Sequence, residues 1–356
     1  MRRKERYLFY ERKRRSRWWL VLLLFVLLVS GISLYLNSVA NRNPQKENIK
    51  LTVPTLPMNL EGVKFLHISD LHGKFFGDNH ELIMDKLVDD NYKAVLLTGD
   101  MIGKDGDDTA FLRLISRFPE DMPVLFIAGD EDPPVFDTER GTYSSWILKA
   151  RDLGAVFLDA PYSLIINKTK LWFMPLESAE ISLDDRAYAL ARRREAVEQM
   201  PGGSEKVAAQ NILQLREDAL NRCREAALTM LSSDCYIALS HLPIGDETAV
   251  TIQGTKDEQE SMLNYPGFLQ VVFSGHLNNG QVVIPWRGSL WAPQTPLHEG
   301  GFIKKGVKLS GSLPARGIAQ HVSKGMGVCG LYPWWLSYRL FNPPTFSLVQ
   351  LTVQMQ

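Results

Sequence analysis

No charged residue occurs between Trp18 and Asn41, and Leu20 to Val29 is one unbroken apolar run. The apolar segment Trp18–Leu36 is nineteen residues long. That is close to the roughly 20 residues that cross a hydrocarbon core of about 30 Å as a helix. Trp18, Trp19 and Tyr35 lie at its ends, where amphipathic rings favour the headgroup level. Residues 1–17 carry nine Lys or Arg against Glu5 and Glu11, whereas only Arg42, Lys46 and Lys50 come soon after the segment. Taken by itself the basic run would suggest a nucleic-acid patch or a solvated tail. Beside the apolar segment it predicts a cell-membrane protein with one span over 18–36 and a cytoplasmic basic tail over 1–17. The main domain is then extracytoplasmic. A cleaved signal peptide is the competing reading, since Ser38-Val39-Ala40 is an acceptable small-x-small site, although its apolar core would be overlong. Both readings export the chain beyond the apolar segment.

The 356 residues, 45% of them hydrophobic, suffice for one sizeable domain besides the anchor. Forty basic and forty acidic residues cancel, so net charge says nothing about partners. Cys223, Cys235 and Cys329 are odd in number and widely spaced, which implies neither a disulfide framework nor a cysteine-rich metal site. Residues 37–59, with Pro44, Pro54 and Pro57, read as a linker, and 60–353 as the domain. Within it, strand candidates at Val63–Ile68, Ala94–Thr98 and Pro123–Ala128 alternate with helical patterns at Glu81–Val88 and Ala110–Phe118. This predicts an α/β fold. Tyr162–Leu176 reads as a hairpin turning at Asn167-Lys168, and Cys235–Leu239, Leu269–Phe273, Gln281–Ile284 and Phe346–Val353 as later strands. A helical insertion over 184–231 forms a hairpin around Pro201-Gly202-Gly203. It is expected to pack one apolar stripe on the domain, with a protein-binding arm as the sharper alternative.

The chemistry-bearing residues sit just past the strand candidates. They are Ser69-Asp70-Leu71-His72, Thr98-Gly99-Asp100, Gly129-Asp130-Glu131-Asp132, Ser240-His241 and Gly275-His276-Leu277-Asn278. Open α/β sheets place their ligands at such carboxyl ends. Each piece alone is more often a turn or cap than a ligand. Five in succession predict convergence on a binuclear site, with carboxylates bridging two cations and neutral imidazoles filling terminal positions. His67, inside its strand, reads as a packed or hydrogen-bonded residue; His80, His298 and His321 lack ligand spacing, and His321 is a candidate for lining the cleft.

The order of these motifs resembles that of the calcineurin-like metallophosphoesterases, which run D-x-H, G-D, G-N-H-D/E, H and G-H-x-H. The stretches Gly275–Pro285 and Gly288–Pro293, and the tail with Gly325, Gly327, Arg339 and Pro343-Pro344, are similar to the exported or membrane-associated bacterial branch. That resemblance implies an α/β/β/α sandwich. It implies Asp70, His72 and Asp100 on a first metal, Asp100 bridging, and His241 and His276 on a second. Three positions depart from the pattern: Asp130 replaces a ligating Asn, Glu131 the His that serves the leaving group, and Asn278 the last His. Asp130 and Asn278 keep oxygen donors, so the predicted metal set is Asp70, His72, Asp100, Asp130, His241, His276 and Asn278. Its two divalent ions are Mn or Mg by preference, with Fe, Zn or Ca as alternatives. Catalytic roles fall to Asp100 and Glu131, the latter as acid or ligand.

These features predict a metal-dependent phosphoesterase acting on phosphodiesters or lipid-linked phosphates near membrane lipid. Nucleic acid is not an expected substrate, since the basic residues lie across the membrane. The alternative is an impaired envelope protein serving as a binding module. The aromatic residues Trp286, Trp291, Tyr332, Trp334, Trp335 and Tyr338 read as packing, or as an apolar rim toward lipid.

Overall fold

The computed structural model describes residues 17–103, 106–253, 269–330, 333 and 338–353. Tyr332, Trp334 and Trp335 lie outside the described residues. Helix α1 (Trp18–Ala40) is succeeded by β1 (Gln45–Val53) and β2 (Lys64–Ile68). Then come α2 (Glu81–Met84), β3 (Val95–Thr98), α3 (Thr109–Ile115) and β4 (Val124–Ile127). The short pair β5 (Phe136–Asp137) and β6 (Thr142–Tyr143) precedes α4 (Ser145–Asp152) and β7 (Val156–Phe157). Next are β8 (Tyr162–Ile166), β9 (Thr169–Pro175), α5 (Glu177–Glu180), α6 (Leu183–Glu198) and α7 (Ser204–Ala227). They lead to β10 (Cys235–Ser240), α8 (Asp246–Gln253) and β11 (Leu269–Ser274). Four two-residue strands come after these, β12 (Val283–Ile284), β13 (Gly288–Ser289), β14 (Trp291–Ala292) and β15 (Gly301–Phe302). The chain closes with β16 (Gly311–Ser312), β17 (Ala319–Val322) and β18 (Thr345–Val353).

Two six-stranded sheets result, ordered β1-β18-β2-β3-β4-β7 and β16-β17-β11-β10-β9-β8. The period of two in β2 shows how they stack. Phe65 faces the second sheet, with its ring 5.5 Å from Phe173 and 6.2 Å from Phe273. Leu66 and Ile68 face away, joining Phe111 of α3 and Trp146 and Ile147 of α4. On the far side of the second sheet, Tyr236 and Val272 pack with Ala249 and Ile252 of α8. Strands β3, β4, β10 and β11 are buried along their whole length, as expected of parallel strands covered on both faces. The architecture is the α/β/β/α sandwich.

Several expectations are corrected. Residues 45–53 are not linker: they form an edge strand paired in parallel with β18, Gln45 opposite Thr345 through Val53 opposite Val353. Residues 37–40 belong to α1. The helix expected over 81–88 is α-helical only to Met84 and then tightens, Lys86 N–H reaching Ile83 O at 3.1 Å and Leu87 N–H reaching Met84 O at 2.9 Å. That i→i+3 pattern changes the pitch rather than the direction. The 162–176 hairpin pairs Ile166 with Thr169. Asn167 and Lys168 both take positive φ there (51° and 69°), as a two-residue type I′ turn requires.

Candidate metal centre

Backbone conformation marks the site before any side chain is considered. Asp70, His72, Asp100, His276 and Asn278 all have φ between 46° and 66°, a region L-residues enter at a cost of roughly 1–2 kcal/mol each. Such strain persists only where the surroundings impose it, and it concentrates at functional sites. The loops after β2 and β3 impose it on one another: Asp70 N–H donates to Gly99 O at 3.0 Å and His72 N–H to Asp100 O at 2.9 Å. Glycines admit this packing. A Cβ on Gly275 would lie 1.9 Å from Ser69 Oγ, and one on Gly325 2.0 Å from Asn278 Oδ1.

Two ligand sets share Asp100. Donor atoms of Asp100, Asp130, His241 and His276 lie within 4.8 Å of one another, as do those of Asp70, His72 and Asp100. His241 Nε2 is 3.2 Å from Asp100 Oδ2 and 2.7 Å from Asp130 Oδ1, and His276 Nδ1 is 3.1 Å from Asp130 Oδ1. His241 Nδ1 bonds Thr98 O at 2.8 Å, which fixes its tautomer and turns Nε2 into the site. Asp100 Oδ2 and His72 Nε2 are both buried and lie 3.7 Å apart, and His72 Nε2 has no hydrogen-bond partner. A buried acceptor left without a donor is costly unless something electron-poor lies against it.

The electrostatics agree. Burial alone would lower His241, but hydrogen bonds and charge from Asp100 and Asp130 hold it well above its ordinary value. Burial would raise Asp130, yet His241 and His276 hold it far below the usual carboxylate range. Asp70, fully buried, is pushed upward by desolvation, with His241 opposing. This excess of negative charge is what divalent cations neutralise.

Two of the predicted site residues have protein partners of their own. The carbonyl of Asn278, expected as a ligand, accepts from Arg339 Nη1 at 3.1 Å, while its Nδ2 donates to Asp70 Oδ1 at 3.1 Å. Arg339 can only donate, so the amide orientation is dictated by chemistry, and Asn278 braces Asp70. Glu131 Oε2 lies 3.3 Å from His72 Nδ1, and its carboxylate also accepts from Cys329 Sγ at 3.2 Å and Gly330 N–H at 3.0 Å. This contact orients His72 through Nδ1 and leaves Nε2 turned toward Asp100, 3.7 Å away. His321 does not line the cleft: it is buried on β17 with Nδ1 2.8 Å from Nδ1 of His67.

Three contributions escaped the sequence reading. Asp132 accepts from the N–H groups of Ile102 and Gly129, each at 2.8 Å, and so ties the loops after β3 and β4. Burial raises its carboxyl to about 6. Cys329 steadies Glu131, and Arg339 binds Asn278, Gly327 O, Lys324 O and Asn342 O. Arg339 did carry a signal: it is the only charge in the run Leu331–Phe346. Beside the centre a cavity of about 960 Å³ opens between α6, α7 and the ends of β4, β9 and β10, reaching Leu242 next to His241.

No curated protein matches the chain. Among solved structures it is similar to the phosphopantetheinyl hydrolase of Mycobacterium tuberculosis, at 13% identity and a TM-score of 0.37, over 75% of this chain and 91% of that one. The family model for calcineurin-like phosphoesterases matches residues 63–279. That span is more than half of the chain and holds every strand-end motif of the metal centre; the chain belongs to the calcineurin-like phosphoesterase family.

Proposed function

We propose that this chain is a membrane-anchored, metal-dependent phosphoesterase of the exported branch, hydrolysing phosphodiesters or lipid-linked phosphates. The observation that carries the reading is the pair Asp100 Oδ2 and His72 Nε2, 3.7 Å apart and each buried within a ligand set, with His72 Nε2 lacking a hydrogen-bond partner. Asp100, Asp130, His241 and His276 would hold one ion; Asp70, His72 and Asp100 would hold the other. Hard carboxylates with imidazole favour Mn²⁺ or Mg²⁺ over zinc. Bound there, the ions supply Lewis-acid polarisation of a phosphoryl group and a nucleophile at neutral pH. The protein's own part is orientation: Glu131 aims His72, Thr98 O aims His241, and Asn278 with Arg339 holds Asp70. The cavity beside His241 leaves room for an ester group far larger than phosphate.

The anchor reading rests on α1, 23 residues long, apolar and unburied along its whole span. The basic residues before it favour a cytoplasmic N-terminus. The bracing of Asn278 favours a second reading, a binding module with a weakened first metal set. One experiment separates them: load the purified full chain with Mn²⁺, Mg²⁺, Ca²⁺, Zn²⁺ or Fe²⁺, then measure bound metal and hydrolysis of methyl 4-nitrophenyl phosphate. The enzyme reading expects metal and turnover, both lost in Asp100→Ala. Metal without turnover would support the binding module, and neither would sink the metal-site reading.

A further inference from the structure

Helix α1 is fastened to the domain by more than chain continuity. In its last turn Asn37 Nδ2 donates to Arg339 O at 2.9 Å, and Asn37 Oδ1 accepts from the Phe341 N–H at 2.8 Å. Asn41 Nδ2 donates to the same Arg339 carbonyl at 2.8 Å, and Lys74 Nζ donates to Asn41 O at 2.8 Å. The apolar stretch of α1 stops at Leu36, one residue before the first of these contacts. Where α1 spans a bilayer, segment 339–341 therefore stands at the level where the helix leaves the hydrocarbon.

That segment carries an apolar edge with it. Leu340 N–H donates to Gln281 O at 3.1 Å and Leu340 O accepts from Val283 N–H at 2.9 Å, which sets the β12–β13 hairpin alongside. The hairpin tip is Trp286, 94% exposed and held at a φ of 63°. A bulky side chain in left-handed backbone is a genuine outlier, and here the strained turn displays the ring to solvent. Ile284 and Phe341 are exposed beside it. Arg287 Nη2 bonds Ile303 O at 2.9 Å, bringing the exposed Lys304 and Lys305 to the same edge. Aromatic rings flanked by lysines at the end of a span are what a headgroup region accommodates.

The same segment reaches the metal centre. From the residue whose carbonyl binds Asn37 and Asn41, the Arg339 guanidinium extends to Asn278 Oδ1, and Asn278 holds Asp70. Two side chains separate the anchor's contact from a metal ligand. Resting on the phosphoesterase reading and on α1 as a span, we infer that the Ile284–Trp286–Phe341 edge docks into the headgroup layer of the bilayer that α1 crosses. The metal centre then meets phosphoesters of lipids in that leaflet while they remain embedded.

The test uses the full chain in nanodiscs of phosphatidylcholine and phosphatidylglycerol. A fluorophore is placed at Trp286→Cys, or at Ile284→Cys if the first variant does not fold. The control is Ile165→Cys, 75% exposed on β8 at the outer edge of the other sheet; the native cysteines are buried. Brominated lipids should quench the probe on the hairpin and leave the control unquenched. No quenching on the hairpin, or equal quenching at both positions, overturns the docking. A second arm compares embedded dodecyl 4-nitrophenyl phosphate with soluble methyl 4-nitrophenyl phosphate. Trp286→Ser should slow the embedded ester on the order of tenfold, from the lost apolar burial, and leave the soluble one unchanged. If the unaltered protein hydrolyses neither ester, the phosphoesterase reading fails and quenching alone decides the docking. Hydrolysis of both without quenching leaves the enzyme standing and removes the docking.

Discussion

Asn278 shows how far a single atom's direction matters. The sequence offered a carbonyl to the first metal; the folded chain turns that carbonyl to Arg339 and gives the metal set an N–H₂ bound to Asp70. No local pattern reveals this, because the deciding partner is 61 residues away. The strand-end Asp and His residues were legible, since each occupies a turn that its own neighbours define. Asn278→Asp replaces the donor with an oxygen of the same size. Two carboxylates then face each other, destabilising the metal-free protein and favouring a cation between them. Mn²⁺ affinity is expected to rise roughly tenfold, about 1.4 kcal/mol, by isothermal titration of the full chain. An unchanged or weaker affinity would mean that the first set does not bind metal in this way.

At the scale of elements, two strands from different sheets meet through imidazoles. His67 on β2 and His321 on β17 bond Nδ1 to Nδ1 at 2.8 Å, and His67 Nε2 bonds Thr98 Oγ1 at 2.8 Å. Burial lowers His67 well below its ordinary value, with His321 adding to the effect, and burial with Lys324 lowers His321 to about 3. The native pair therefore stays neutral while the unfolded chain takes up protons below about 6.5. Their contribution to stability is complete above that pH and is lost as pH falls toward 3, by up to about 1.4 kcal/mol per unit for each ring. Thermal midpoints measured from pH 7 to pH 4 should fall accordingly, and His321→Gln should flatten the slope; an identical slope would assign the acid sensitivity elsewhere. The buried parallel strands were legible as short apolar runs, and the 167–168 turn as a two-residue hairpin. Strand β1 was not: its first half, Gln45-Lys46-Glu47-Asn48, is polar because it runs along an exposed edge with β18 as its single neighbour.

For the whole molecule, a metal held by the carboxylates and imidazoles of the centre would act as a structural partner too. An ion that binds only the folded form, at about a hundred times its dissociation constant, stabilises by about 2.7 kcal/mol. For a domain of this size that corresponds to a rise in melting temperature of roughly 4 °C. Chelation should reverse it, and Asp100→Ala should show no response to either treatment, as read by differential scanning fluorimetry. A midpoint indifferent to chelator would argue that the sets do not hold ions tightly.

The first sheet also sets a timetable. Strand β18 lies between β1 and β2, parallel to one and antiparallel to the other, although about three hundred residues of chain separate it from them. Until residues 345–353 emerge from the ribosome and, for an exported domain, from the translocation channel, β1 has no partner strand in this sheet and β2 has only β3. Closure of that sheet waits for β18, a delay inherent in pairing strands so distant along the chain. During it, β2 carries an unpaired hydrogen-bonding edge beside apolar surface, the condition in which chains adhere to one another.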